Sequence, residues 1–190
     1  MKKSTVYLFS VILAASVFIS LWSCSKDDKP APPVVPPTNL KLGDSYQGGI
    51  IFYLDASGQH GLIAATADQS RLTPWWNGSF VSTGANSTTD GATNTTKIIQ
   101  AHGNTGNYAA KICRDYKGGG YADWFLPSKD QLNTLYTQKN LVGGFGNEIY
   151  WSSTEYSTGE AWVQYFLDGL QHLDNTSDGA TVGTRAIRVF

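Results

Sequence analysis

The sequence predicts an α+β domain, and three observations carry the prediction. Two apolar runs around a Gly-containing turn open the folded part. Helical stripes cluster in its middle. Strand-like runs close it, and this order of elements suits a sheet packed with segregated helices.

Taken in order, Gly48-Gly49 precedes IIFYLD, the turn Ala56-Ser57-Gly58-Gln59 and HGLIAAT, which together read as a β-hairpin. Thr66 to Thr96 is rich in Ser, Thr, Gly, Asn and Asp and reads as a long polar loop holding Trp75-Trp76. Asn94 or Thr95 would cap a short helix with Ile98, Ile99 and His102 on one side, stopped by Gly103. In 107–116, Tyr108, Ala109, Ile112, Cys113 and Tyr116 form a second helical stripe, ended by Gly118-Gly119-Gly120. Ser128, with Gln131 in the capping-box position, starts a third helix that buries Leu132, Leu135 and Tyr136. Ile149–Thr154 and Glu160–Leu167 read as strands. Asp168-Gly169 reads as a type I′ turn into Leu170–Leu173. Asp174 to Thr184 is polar, and Ala186–Phe190 is a last strand.

Composition removes several functions. Charged residues are 15%, aromatics 13%, and the formal net charge is −1. No Lys/Arg-rich stretch supports nucleic-acid binding. Two cysteines cannot staple a fold of 190 residues. Gly, Ser, Thr and Asn are too common for a helical bundle.

Residues 1–23 read as a lipoprotein signal peptide. Met1-Lys2-Lys3 is a positive start, and Val6–Trp22 is an uncharged, mostly apolar run of 17 residues, short of the roughly 20 that span a bilayer. Leu21-Trp22-Ser23-Cys24 resembles the bacterial lipobox, with Trp22 where a small residue is usual. The resemblance implies a lipidated Cys24 as the mature N-terminus. Ser25-Lys26-Asp27-Asp28 resembles a surface-export signal of one group of Gram-negative bacteria. Residues 24–39 form a linker holding five of the seven prolines, a stiff spacer of polyproline type. The folded domain is then 40–190, with ten Lys/Arg against thirteen Asp/Glu, a formal charge of −3.

Four stretches of that domain, GGIIFYLDASGQHGLIAA (48–65), YADWFLPSKDQLNTLY (121–136), YWSSTEYSTGEAWVQYF (150–166) and TRAIRVF (184–190), resemble the Lcl C-terminal domain family. That family, long catalogued as a domain of unknown function, is related in fold to C-type lectin-like and formylglycine-generating-enzyme-like domains. The resemblance implies a C-type lectin-like fold with paired terminal strands. It points only weakly to a function, because such folds host many roles.

The constellations expected of such folds are incomplete here. Neither Glu-Pro-Asn nor Trp-Asn-Asp, the usual signatures of a Ca²⁺-dependent sugar site, occurs. Asp174–Gly179 partly resembles a Ca²⁺ loop opening, but the twelfth position counted from Asp174 is Arg185. Cys113 alone cannot supply a redox pair, and it reads as a core residue. His60, His102 and His172 show no metal spacing, so no metal and no cofactor is expected. Glu155 with Asp168 is the candidate carboxylate pair of a hydrolase. Trp124, Trp151 and Trp162 read as core. Trp75-Trp76 differs, since adjacent side chains on an extended segment alternate and cannot both point inward.

The expectation is therefore a non-catalytic binding module on the outer membrane, exposed at the cell surface or facing the periplasm. Its partners are the membrane, through the lipid on Cys24, and a glycan or a surface protein. The candidate contacts are Trp75, Trp76 and Asn77, with Glu155 beside them. A carbohydrate-active hydrolase using Glu155 as general acid, and a subunit of an envelope assembly, are the alternatives.

Overall fold

The structure, a computed structural model, describes residues 39–146, 149–178 and 182–190. The signal peptide, Cys24, nearly all of the linker and Glu148 lie outside the described residues. The chain divides between Val35 and Pro36, and every described residue belongs to the unit Pro36–Phe190. No helix among the described residues is long and apolar enough to cross a membrane.

The elements run β1 (Ser45–Tyr46), β2 (Gly49–Leu54), β3 (Gly61–Ala65), α1 (Gly91–His102), α2 (Ala109–Asp115), α3 (Lys129–Thr137), α4 (Lys139–Val142), β4 (Ile149–Ser157), β5 (Glu160–Tyr165), β6 (Gln171–Asn175), β7 (Val182–Gly183) and β8 (Ile187–Val189). They form two four-stranded sheets, β1-β2-β3-β8 and β6-β5-β4-β7. The α+β class read from the sequence is therefore the observed one. The last strand does join the first hairpin, through β3 rather than β1, with Leu62 opposite Val189 and Ala64 opposite Ile187.

The β2–β3 hairpin reads as near-continuous apolar sequence because both its faces are covered. Ile51 and Ile63 face one buried cluster with Trp75, Trp124 and Trp151. Phe52 and Ala64, one residue on, face the other with Leu132, Leu135 and Tyr150. Fully burying each of the Ile, Leu and Phe side chains contributes roughly 1.5–3 kcal/mol. The turn is set by Asp55, whose Oδ1 accepts from the Ser57 and Gly58 N–H groups.

Helix α3 starts where its sequence says. Ser128 Oγ accepts from Gln131 N–H, and Gln131 Oε1 accepts from Ser128 N–H at 2.9 Å. Helix α1 starts earlier than expected. Its cap is Asp90, which accepts from Thr93 N–H at 2.9 Å, and hydrogen bonds from the Thr93 hydroxyl and then its N–H hold the Asp90 carboxyl below its usual range. Asn94 and Thr95 are buried instead. Asn94 binds the backbone of Ser87, and Thr95 Oγ1 accepts from Leu126 N–H. They tie the helix to its neighbours, so a cap is not what they supply.

Two further expectations change. Asp168-Gly169 is not a two-residue type I′ turn, since Gly169 has φ +87° and Asp168 is not among the positive-φ residues. The loop is longer, and Gly169 N–H closes it on Tyr165 C=O at 2.8 Å. Trp124 and Trp151 are fully buried, but Trp162 is only half-buried, with Lys129 Nζ 3.3 Å above its ring.

The long polar segment 66–90 is fastened at its start by buried charge. Arg185, fully buried, donates from Nη2 to Asp68 Oδ1 at 2.6 Å. Its Nε–H donates to the same oxygen at 2.9 Å, and its other donors reach the carbonyls of Ala65, Gly143 and Gly144. Asp68 Oδ2 accepts from Tyr150 Oη–H at 2.9 Å and Gly146 N–H at 3.0 Å. Both charges are thus paired and hydrogen-bonded, the condition for keeping them out of water.

Candidate functional site

Backbone bonds seat the centre of the segment. Trp75 and Trp76 N–H groups both donate to Thr176 C=O, at 3.0 and 3.3 Å. Two buried indoles add to this. Trp151 Nε1–H donates to Thr73 C=O at 2.7 Å, and Trp75 Nε1–H donates to Ser152 C=O at 2.8 Å. Buried indole N–H groups need such partners.

The alternation argument resolves into one inward and one outward ring. Trp75 is 1% exposed and belongs to the core, so it has no surface to offer a ligand. Trp76 turns outward, half-buried, and stacks on Phe80 with centroids 4.3 Å apart and planes tilted 38°. Phe80 is 60% exposed and Val81 40%. Asn77 is exposed, and its Nδ2–H donates to His102 C=O at 3.0 Å. Gly106, at φ +88°, makes room for this, because any side chain there would collide with Asn77 Oδ1.

Glu155 holds the far flank. Its carboxylate accepts from Thr83 N–H at 2.9 Å, Gly84 N–H at 2.8 Å and Thr83 Oγ1–H at 3.1 Å. In return Glu155 N–H donates to Ala85 C=O at 2.8 Å. These bonds occupy the carboxylate, so Glu155 shapes the loop and does not face a ligand. Nor does it pair with Asp168. Glu155 sits opposite Ala161 at one end of β5, and Asp168 lies beyond Tyr165 at the other. Four strand residues separate the ends by about 13 Å, beyond the roughly 5–9.5 Å of glycoside hydrolase pairs.

His102 lies beneath the loop. Its ring meets Trp75 and Tyr108 edge-on, with centroids 6.2 and 5.9 Å away. Both ring nitrogens are buried without a hydrogen-bond partner. Burial holds the imidazole below its ordinary value, with the Glu155 charge opposing. Burial also pushes the Tyr108 hydroxyl up to about 12, and that hydroxyl donates to Gly103 C=O at 2.6 Å.

Cys113 is fully buried, and burial raises its thiol. Among the described residues no group of three or more His, Cys, Asp or Glu is placed to hold a metal ion. In the stretch that partly resembles a Ca²⁺ loop, two side-chain oxygens are taken up by local hydrogen bonds. Asn175 Oδ1 accepts from Ser177 N–H and Oγ–H, and Asp174 Oδ1 accepts from Asn175 N–H.

The structure therefore brings Trp76 and Asn77 together on one surface and puts Trp75 and Glu155 to work underneath. Phe80 and Val81 are absent from the sequence-based candidates. Their signal was an apolar pair inside the polar run Gly78–Thr83. Comparison with known protein families finds no match to this chain, and comparison with curated proteins finds none either.

Proposed function

We propose that the protein is a non-catalytic binding module, anchored in the outer membrane by lipid on Cys24, that receives a glycan on the Trp76–Phe80 pair. One observation carries this reading: a half-buried Trp76 stacked on an exposed Phe80 sits on a segment fastened on both flanks. Sugar rings present C–H faces that pack on aromatic rings, and a small number of polar groups fixes their orientation. Asn77 keeps its carbonyl oxygen available, since only its amide N–H is used. Because the loop is already ordered, binding loses little further conformational entropy.

The C-type lectin-like fold of the Lcl C-terminal domain family is part of the proposal. One antiparallel and one mixed sheet, with the last strand joined to the first hairpin, support it. Cell-surface display is supported by the sequence alone, through Cys24 and Ser25-Lys26-Asp27-Asp28. Catalysis has no support at Glu155, where all the bonding serves the loop.

The test is a glycan array on residues 36–190, with and without Ca²⁺, beside a Trp76→Ala/Phe80→Ala variant. Binding by the parent and loss in a folded variant is the expected result. Unchanged binding by the variant overturns the assignment of the site. A second reading, a protein partner, is favoured by Val81 extending the apolar surface beyond Phe80. Capture of an envelope protein, lost in the same variant and without any glycan binding, would transfer the ligand to that class. For the anchor, Cys24→Ala should move the full chain out of the membrane fraction. Full retention contradicts lipidation.

A further inference from the structure

A second surface of different chemistry lies on α1. Thr93, Thr96, Lys97 and Gln100 recur at helical spacing and form one polar stripe. Arg114 of α2 faces this stripe, and a cleft of about 520 Å³ lies between them, with Asp123 at its rim.

The charges in the cleft are unequally used. Asp123 is paired with Arg188. Asp90, at the start of α1, spends its carboxylate on Thr93 N–H. Among the described residues no carboxylate lies within ion-pair distance of Arg114 or Lys97. Arg114 donates from Nη2 to Thr96 Oγ1 at 3.2 Å and makes a long contact with Ala92 C=O, while its Nε–H is buried without a partner. Lys97 donates to Gly84 C=O at 2.8 Å. So in a domain of formal charge −3, two cations line one cleft and each hydrogen-bonds only neutral acceptors, with the Asp123 carboxylate at the rim already paired and Asp90 near Lys97. A guanidinium fork beside hydroxyl and amide groups matches the planar or tetrahedral face of an oxyanion.

We propose that this cleft binds a small oxyanion, with Arg114 as its principal contact and Lys97, Thr93 and Gln100 completing the cradle. Carboxylates, sulfates and phosphates share this chemistry. The residues lining the cleft are not those of the Trp76–Phe80 pair, so binding at each is read separately.

The experiment is NMR titration of residues 36–190 with inorganic phosphate, inorganic sulfate and glucuronate, each against chloride at equal ionic strength. Saturable shifts at Thr93, Lys97, Gln100 and Arg114 are expected with at least one oxyanion, with roughly millimolar affinity for so few charged contacts. The anion with the lowest fitted Kd identifies the source. Arg114→Gln should weaken it about tenfold or more, the loss of one charge-assisted contact. Lys97→Gln, which removes a point charge and leaves the guanidinium fork, should weaken it by a smaller factor and guards against misfolding of the first variant. Trp76→Ala/Phe80→Ala should leave it unchanged. Shifts equal to those with chloride, or affinity unaltered in folded Arg114→Gln and Lys97→Gln, overturn the proposal.

Discussion

At its flanks the segment 66–90 is bound by buried polar groups, whereas its middle, 76–81, presents aromatic surface to water. Asp68 and Glu155 sit in the flanking sites with side chains almost out of solvent and donors on every side. Trp76 packs partly against the buried cluster and stacks on the exposed Phe80. The difference teaches how a loop without regular structure can hold a surface in place. Ordering each residue costs about 1–2 kcal/mol of backbone entropy. Here the cost is offset at the flanks and by two buried indoles, so the exposed rings need not contribute to stability.

That contrast can be broken by substitution. The largest effect should come from Asp68→Ala, which leaves Arg185 buried without its counter-charge and should cost about 3–5 kcal/mol in urea unfolding. A cost below about 1 kcal/mol would mean the flank is not held by this pair. The adjacent tryptophans give the sharpest pairing. Trp75→Ala should cost about 3–5 kcal/mol, as for a core indole, and Trp76→Ala about 1 kcal/mol or less. Equal costs would erase the distinction between core and presented surface. Glu155→Gln should cost about 1–3 kcal/mol, with faster amide exchange confined to Thr83 and Gly84.

The smallest effect concerns pH. His102 in the folded chain titrates below the ordinary value of 6.5, because burial disfavours the imidazolium. Between the two values the unfolded chain binds a proton that the folded chain refuses. This contribution to stability is therefore complete above about pH 6.5 and declines as pH falls below it. Asp90 acts in a lower window, with stability lost as pH drops below 3.8 towards its depressed value. In His102→Gln the upper decline should flatten while the lower one stays. An unchanged profile near pH 6 would show that His102 is not the group responsible.

How far the sequence reveals this arrangement depends on the range of each interaction. The hairpin 49–65 and the Ser128–Gln131 capping box are legible because their partners are a few residues apart. The buried pair is not, since Asp68 and Arg185 lie 117 residues apart and nothing local to either implies the other. Local signals also misled where tertiary contacts outweighed them. Asn94 and Thr95 look like caps but serve as buried ties. Asp168-Gly169 looks like a two-residue turn but ends a longer loop. Within the candidate site, alternation at Trp75-Trp76 limited the inward rings to one, but the inward partner was settled only by Ser152 C=O. Glu155 looked like a ligand contact because the sequence does not show that Thr83 and Gly84 fill its carboxylate.

The measurement that bears most directly on the central claim reads stability and binding together in Trp76→Ala/Phe80→Ala. Its melting temperature should stay within a few degrees of the parent, as for a loss of about 1 kcal/mol or less, while glycan binding disappears. A folded variant that still binds, or one that unfolds as Trp75→Ala does, would contradict the division between a fastened frame and a presented aromatic surface.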